Sequence, residues 1–482
     1  MILLLPILLP IALSVVILSG AIHRAARIRR FAVCSVVLSS AAAFTALALA
    51  PEGGVTLIAF TDKLTFALRA DGLSRLFGDM VALLWIPTTF YALEYMEHAG
   101  GERRFYGFFL MSMGVVLGVA LAGNLFTLYL FYEYLTFSTL PLVMHDMDDK
   151  ARFAGRRYLT YMILGGALAF VALLFMVNYG VSLEFTWGGT LDAGAVAGRE
   201  NLLRAAFLVS LAGFGVKAAI FPLHRWLPGA SVAPTPVTAL LHAVAVVKSG
   251  VFAIIRVIFY SFGAALLAGS FAQNVMMALA IVTILFGSVM ALRTPHLKRR
   301  LAYSTVSNLS YILFGASLMT GAGLSGALMH MLYHASIKIT LFFCAGAILH
   351  KTGVEYLDDI KGFGRRMPLT MACFTVSALC LIGVPPLGAF FSKWYMAVEA
   401  AGVAAPLAVA GMAALVISEL LTALYMFGPI IYAYFLPAEE AQVKRSDGGA
   451  LMSVPIVALT VLSVALSFGA GWLNTLLSAL IG

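Results

Sequence analysis

The chain is 482 residues long, 62% hydrophobic and 11% charged, with a mean hydropathy of +0.97. That leaves far too little polar surface for a soluble protein of this size, so composition implies an all-α, polytopic membrane protein. The net charge of +9 is what basic loops on one membrane face produce, and it implies no nucleic-acid partner. Cys34, Cys344, Cys373 and Cys380 fall singly in apolar runs, a pattern that supports no disulfide, zinc, iron–sulfur or other metal site.

Taken in order, apolar runs predict spans near 2–20, 31–50, 72–95, 105–122, 125–144, 158–178, 203–223, 237–260, 272–292, 301–319, 325–349, 368–397, 403–435 and 452–480. That is fourteen spans, with MILLLPILLPIALSVVILSG read as a retained first helix rather than a removable signal. The loops following odd-numbered spans hold 21 of the 31 Lys and Arg residues, among them Arg24, Lys150, Arg225, Lys298, Arg300, Lys351, Lys444 and Arg445. The opposite loops hold six: Lys63, Arg69, Arg75, Arg199, Arg204 and Arg256. This bias predicts basic loops in the cytoplasm and both termini on the outer side of the cytoplasmic membrane. The longest connections, near 51–71 and 179–202, are too short for a soluble domain. There is no phosphate-binding loop, dinucleotide fingerprint or nucleophile elbow, so no cofactor site and no catalytic chemistry are visible in this chain.

The remaining four basic residues, Lys217, Lys248, Lys338 and Lys393, lie inside spans seven, eight, eleven and twelve. Each costs roughly 2.5 to 3.5 kcal/mol at a helix centre unless paired, neutralised or watered. Glu133 is the only acid of span five and the natural partner for one of them. Two readings compete: a static ion pair that fixes packing, and a mobile pair in an ion path. Pro222, Pro228, Pro234 and Pro236 follow Lys217 and break the helical pattern, and broken backbone beside a buried charge favours the mobile pair.

In span eleven His330, His334 and Lys338 recur every four residues and share one face, a stripe able to pass protons through water. His242 and Lys248, six apart in span eight, point to different neighbours, and Lys248 is the stronger candidate. Pro385 and Pro386 precede Lys393, so span twelve is expected to be a broken helix, as span seven is at Pro222, five spans earlier. An odd separation predicts two inverted five-helix repeats, 104–261 and 262–436, flanked by 1–103 and a last helix in 437–482. Asp79 and Glu419 are further intramembrane acids, outside this set, that read as structural.

The segments FPLHRWLPGASVAPTPVTALLHAVAVVKSGVF, LKRRLAYSTVSNLSYILFG, HMLYHASIKITLFFCAGAI and GFGRRMPLTMACFTVSALCLIGVPPLGAFFSKWYM resemble the antiporter-like subunits of respiratory complex I, membrane-bound hydrogenases and multi-subunit (Mrp) cation/proton antiporters. The likeness runs over roughly 70–435 and is strongest to the Mrp D-type and complex I M-type subunits. The longest complex I type, with its lateral helix after span fourteen, fits less well. The resemblance implies a proton path through Glu133, Lys217, Lys248, His330, His334, Lys338 and Lys393, gated by the Glu133–Lys217 pair. It also implies neighbouring membrane subunits that supply the driving energy, with protons as cargo and sodium left open. Two positions depart from the family pattern: Gly229, where an acid is frequent, and His296, where an aspartate is frequent. A self-sufficient cation/proton antiporter and a structural scaffold are the competing functional readings.

Overall fold

The computed structural model describes residues 1–51, 53–97, 99–437 and 447–481. Lys444 and Arg445, counted above among the basic loop residues, lie outside the described residues. Helices dominate. In chain order those longer than eight residues are α1 (Leu5–Leu18), α2 (Ala25–Leu49), α3 (Gly72–Tyr95), α4 (Glu102–Ala120), α5 (Leu125–Val143), α6 (Asp149–Tyr179) and α7 (Glu200–Lys217). There follow α8 (Thr235–Ala243), α9 (Val246–Arg256), α10 (Phe271–Arg293), α11 (Leu297–Ser317), α12 (Gly321–Thr352), α13 (Pro368–Ile382), α14 (Gly388–Val403), α15 (Pro406–Phe435), α16 (Ala450–Phe468) and α17 (Ala470–Ile481). Each expected span coincides with one or two of these. Among the described residues nine helical stretches are long and apolar enough by themselves to cross a membrane, which makes the chain a multi-pass integral membrane protein.

Helix starts follow from local sequence. The side chains of Asp71, Asn124 and Asp148 accept from the backbone N–H groups of Ser74, Thr127 and Ala151 at 2.9, 2.8 and 2.6 Å, capping α3, α5 and α6. Burial then sorts the elements. The stretch Thr235–Phe262 is wholly buried, and α12, buried along nearly all its length, packs on α3, α8, α11, α13, α14, α16 and α17. By contrast, most of the apolar surface of α15 and α16 faces outward, as lipid-facing helices require.

Several expectations are corrected. Span seven stops at Lys217 rather than 223, because Ala219 takes a left-handed φ of 57° and the chain turns away. The broken backbone stays bonded inside the protein: Trp226 Nε1 donates to the Val216 carbonyl at 2.6 Å, and the Phe221 N–H donates to Thr283 Oγ1 at 3.1 Å. Span twelve is broken as expected, between α13 and α14, at Gly383, whose φ of 86° favours glycine, followed by Pro385 and Pro386. Span eight, expected as one helix, is also split, at Val244–Ala245, and ends in a π-helical turn over Val257–Phe262. The six-residue angular argument relating His242 to Lys248 therefore does not apply. Span fourteen divides at Gly469. The connection at 51–71 holds an antiparallel hairpin, β1 (Val55–Ala59) with β2 (Thr65–Leu68). Arg256, Lys298 and Arg300, assigned to loops from the sequence, are buried.

Candidate functional site

Lys217 is the last residue of α7 and is 1% exposed. Its ammonium donates to the Tyr132 carbonyl of α5 and sits 3.4 Å from the centroid of the Tyr132 ring, so the carbonyl dipole and the ring face both stabilise the charge. Glu133, the next residue on α5, is close enough to feel that charge. The two do not pair: no contact within 4.0 Å joins them, and Glu133 Oε1 is buried without a hydrogen-bond partner. The carboxylate instead rests on Gly166 of α6, where a Cβ would collide with it.

The helix carrying Lys248 docks directly on the end of α7. A Cβ at Gly250 would lie 2.5 Å from the Ala218 nitrogen and 2.9 Å from Lys217 Cβ, so only glycine permits this approach. Lys248, fully buried three residues past the Val244–Ala245 break, hydrogen-bonds His334 Nδ1 on α12. His334 Nε2 is buried and unpartnered. One turn away on the same helix, His330 lies with its ring centroid 6.1 Å from that of His334. Its Nδ1 meets Ser392 Oγ at 2.9 Å and its Nε2 meets Asn308 Oδ1 at 3.2 Å. Ser392 precedes Lys393 on α14. Lys393 turns back into the α13–α14 break and donates to the freed carbonyls of Leu381 and Ile382 at 3.2 and 2.7 Å. It also stands 3.8 Å from Glu419 Oε1 on α15.

Lys338 forms a branch. It donates to Ser304 Oγ at 2.7 Å and to the Leu301 carbonyl at 3.1 Å on α11, and Ser304 meets the Tyr425 hydroxyl at 2.7 Å. His242 is fully buried against Phe342, neither ring nitrogen has a partner, and it lies within electrostatic reach of Lys338, Lys248 and Lys298. The structure thus joins Lys248 to His334, sets His330 one turn from it and one residue from Lys393 through Ser392, and packs the Lys248 helix on the end of the Lys217 helix; Lys338 and His242 lie nearby, and Glu133 touches neither Lys217 nor Lys248. Glu419, read from sequence as structural, is the carboxylate partner of Lys393. Asp79 makes no ion pair among the described residues and stays apart.

Sequence reasoning missed the residues that hold these groups. Ser304, Asn308 and Ser392 were legible as a run of small polar residues in LAYSTVSNLSYILFG and as the residue beside Lys393. It also missed that Arg256 is buried and paired. Arg256 is 0% exposed, forks onto Asp71 with two bonds of 2.6 Å, reaches Ser74 Oγ at 2.9 Å, and is surrounded by Phe185, Phe252 and Tyr260.

Comparison with known proteins places this interior in context. Residues 122–436 match the family described as NADH:quinone oxidoreductase/Mrp antiporter, transmembrane. The chain is 36% identical over 385 residues to NADH-quinone oxidoreductase subunit N of Desulforudis audaxviator, covering 76% of this chain and 72% of that one. It is 33% identical over 365 residues to hydrogenase-4 component B of Escherichia coli, covering 71% of this chain and 53% of that one. Against a probable potassium/proton antiporter component of Rhizobium meliloti it is 34% identical over 339 residues, 70% of this chain but 33% of the longer protein. A chain of the Mrp complex from Dietzia sp. shares the fold with a TM-score of 0.87 at 22% identity, over 99% of this chain and 96% of that one. On the extent of the family match and the identity to subunit N, this chain belongs to the NADH:quinone oxidoreductase/Mrp antiporter membrane family.

Proposed function

We propose that this chain is a proton-translocating subunit of a multi-subunit membrane assembly of the complex I, hydrogenase or Mrp type. The observation that carries this reading is the run of interior polar groups in which Lys248 bonds His334, His330 lies one turn away and bonds Ser392, and the next residue, Lys393, faces Glu419, with Lys217 packed against the helix that bears Lys248. A scaffold gains nothing from a lysine bonded to an imidazole and a carboxylate left without a partner, since apolar packing holds helices at lower cost.

The unpaired Glu133 and Lys217 represent the open form of a gate. Closing it sets carboxylate against ammonium and stabilises the charge; opening it leaves the buried cation with only the Tyr132 carbonyl and ring, a weaker compensation, and favours loss of the proton toward Lys248. His334 and His330 carry it onward, with Lys338 and His242 as side branches and internal water bridging the unpartnered nitrogens. Lys393 and Glu419 form the far pair. The driving energy comes from partner subunits, as redox chemistry or a gradient of another cation. We assign the cargo as protons, with no assignment for sodium, and read the chain within its family as D-type or M-type. The helix breaks after Lys217 and before Lys393 support two inverted repeats, 104–261 and 262–436, and the basic-residue bias supports cytoplasmic basic loops, outer termini and the cytoplasmic membrane.

Proton flux in the reconstituted assembly tests the reading through Lys217. Lys217→Ala stops flux; Lys217→Arg also stops it if the residue carries a proton in transit, because guanidinium stays protonated. Full flux in a correctly assembled arginine variant would overturn the carrier role. Flux by the purified chain alone would favour the self-sufficient antiporter. Cysteines at Asp148 and Ala195 report the orientation: an impermeant thiol reagent on intact cells labels the second and not the first.

A further inference from the structure

Beneath the break that follows α7 lies a cavity of about 680 Å³, walled by α6, residues 224–232, α10 and α11. Lys150, Arg157, Arg225 and Arg299 surround it. None of these four side chains makes a hydrogen bond or ion pair with the described residues, and no carboxylate lines the space. At the inner wall stands His224, 3% exposed, with Nδ1 unpartnered. Burial first, and then the Arg225 and Arg157 guanidiniums, push its imidazole down to about 4.

Unpaired like charges around one opening repel, and an array of phosphate oxygens matches guanidinium forks better than any single carboxylate. The remaining wall is apolar, with Phe153, 69% exposed, on one side and Phe286 and Met290 on the other. A free phosphate has no use for that wall. We propose that this cavity holds the phosphate of an anionic membrane lipid, with the first carbons of its acyl chains against Phe153 and Met290. Clusters of Lys and Arg at a membrane surface recognise such headgroups, and the volume is that of a small-molecule site. The bound phosphate would clamp Arg225, and through it the segment whose fold sets the end of the Lys217 helix. The site stands independently of the proposed proton path.

Gly229 supplies the test. It lines the cavity at an ordinary φ of −67°, and an added Cβ meets nothing within 4 Å, so Gly229→Asp places a carboxylate among the cations without disturbing the fold. Gly229→Asn is the neutral control. The purified assembly, in nanodiscs of phosphatidylcholine with a minority of photoactivatable phosphatidylglycerol, is cross-linked and mapped, and retained lipid is counted by native mass spectrometry. The expected result is cross-linking of phosphatidylglycerol to segments 153–157 and 225–232, retained in Gly229→Asn and reduced about fivefold in Gly229→Asp. In Arg225→Gln/Arg299→Gln the reduction is about thirtyfold. Equal labelling in the Asp and Asn variants overturns the proposal. So does displacement of the lipid by millimolar inorganic phosphate, which would mark a free-anion site, or cross-linking of a neighbouring subunit in place of lipid.

Discussion

Lys248 and His334 share a hydrogen bond between the ammonium nitrogen and Nδ1, with both side chains no more than 1% exposed. An ammonium only donates, so whenever Lys248 is protonated Nδ1 must be the acceptor and the imidazole proton sits on Nε2. That nitrogen faces no partner among the described residues. Two bases thus share one proton in the interior, with a free exit on the far nitrogen.

His334→Gln keeps an acceptor for Lys248 but cannot take up a proton. Flux should fall by about a hundredfold, while assembly and the yield of folded complex stay at wild-type levels. Wild-type flux in this variant would reduce His334 to a hydrogen-bond acceptor.

Glu133→Gln should leave Lys217 bonded to the Tyr132 carbonyl and ring but without a carboxylate to close on it. Ion-coupled activity should drop severely with little change in thermal stability, because the carboxylate makes no ion pair to lose. A large loss of stability instead would show that a closed, structural pair dominates in the membrane.

Glu419 is the corresponding carboxylate for Lys393, at 3.8 Å. Glu419→Gln should slow flux, and Lys393→Met should slow it further, since the lysine also engages the Leu381 and Ile382 carbonyls. The double variant should match Lys393→Met alone. Additive losses measured as proton uptake would place the two residues in separate roles.

Arg256 makes the opposite prediction. Its fork onto Asp71 and its aromatic surround are static, and they touch none of the line from Lys217 to Glu419. Removing one member of a buried pair typically costs about 3 to 5 kcal/mol. Arg256→Met should therefore lower thermal stability and yield, with flux per assembled complex unchanged; a stable variant without flux would put Arg256 in the path.

The membrane environment, the approximate spans and the buried lysines were legible in the sequence because hydropathy is local and a charge in an apolar run is conspicuous wherever the helix packs. The breaks at Lys217 and Lys393 were legible because Pro222, Pro385 and Pro386 leave a chemical mark. The break before Lys248 was not: Val244 and Ala245 are ordinary helix residues that leave no mark in the sequence. Nor does hydropathy distinguish Arg256, sealed by Asp71 and three rings, from an arginine at a helix end reaching water. Pairing depends on which way each helix faces and on neighbours far away in sequence, which is why only the tertiary structure joined Lys393 to Glu419 and Lys248 to His334, and set Glu133 and Lys217 side by side without contact.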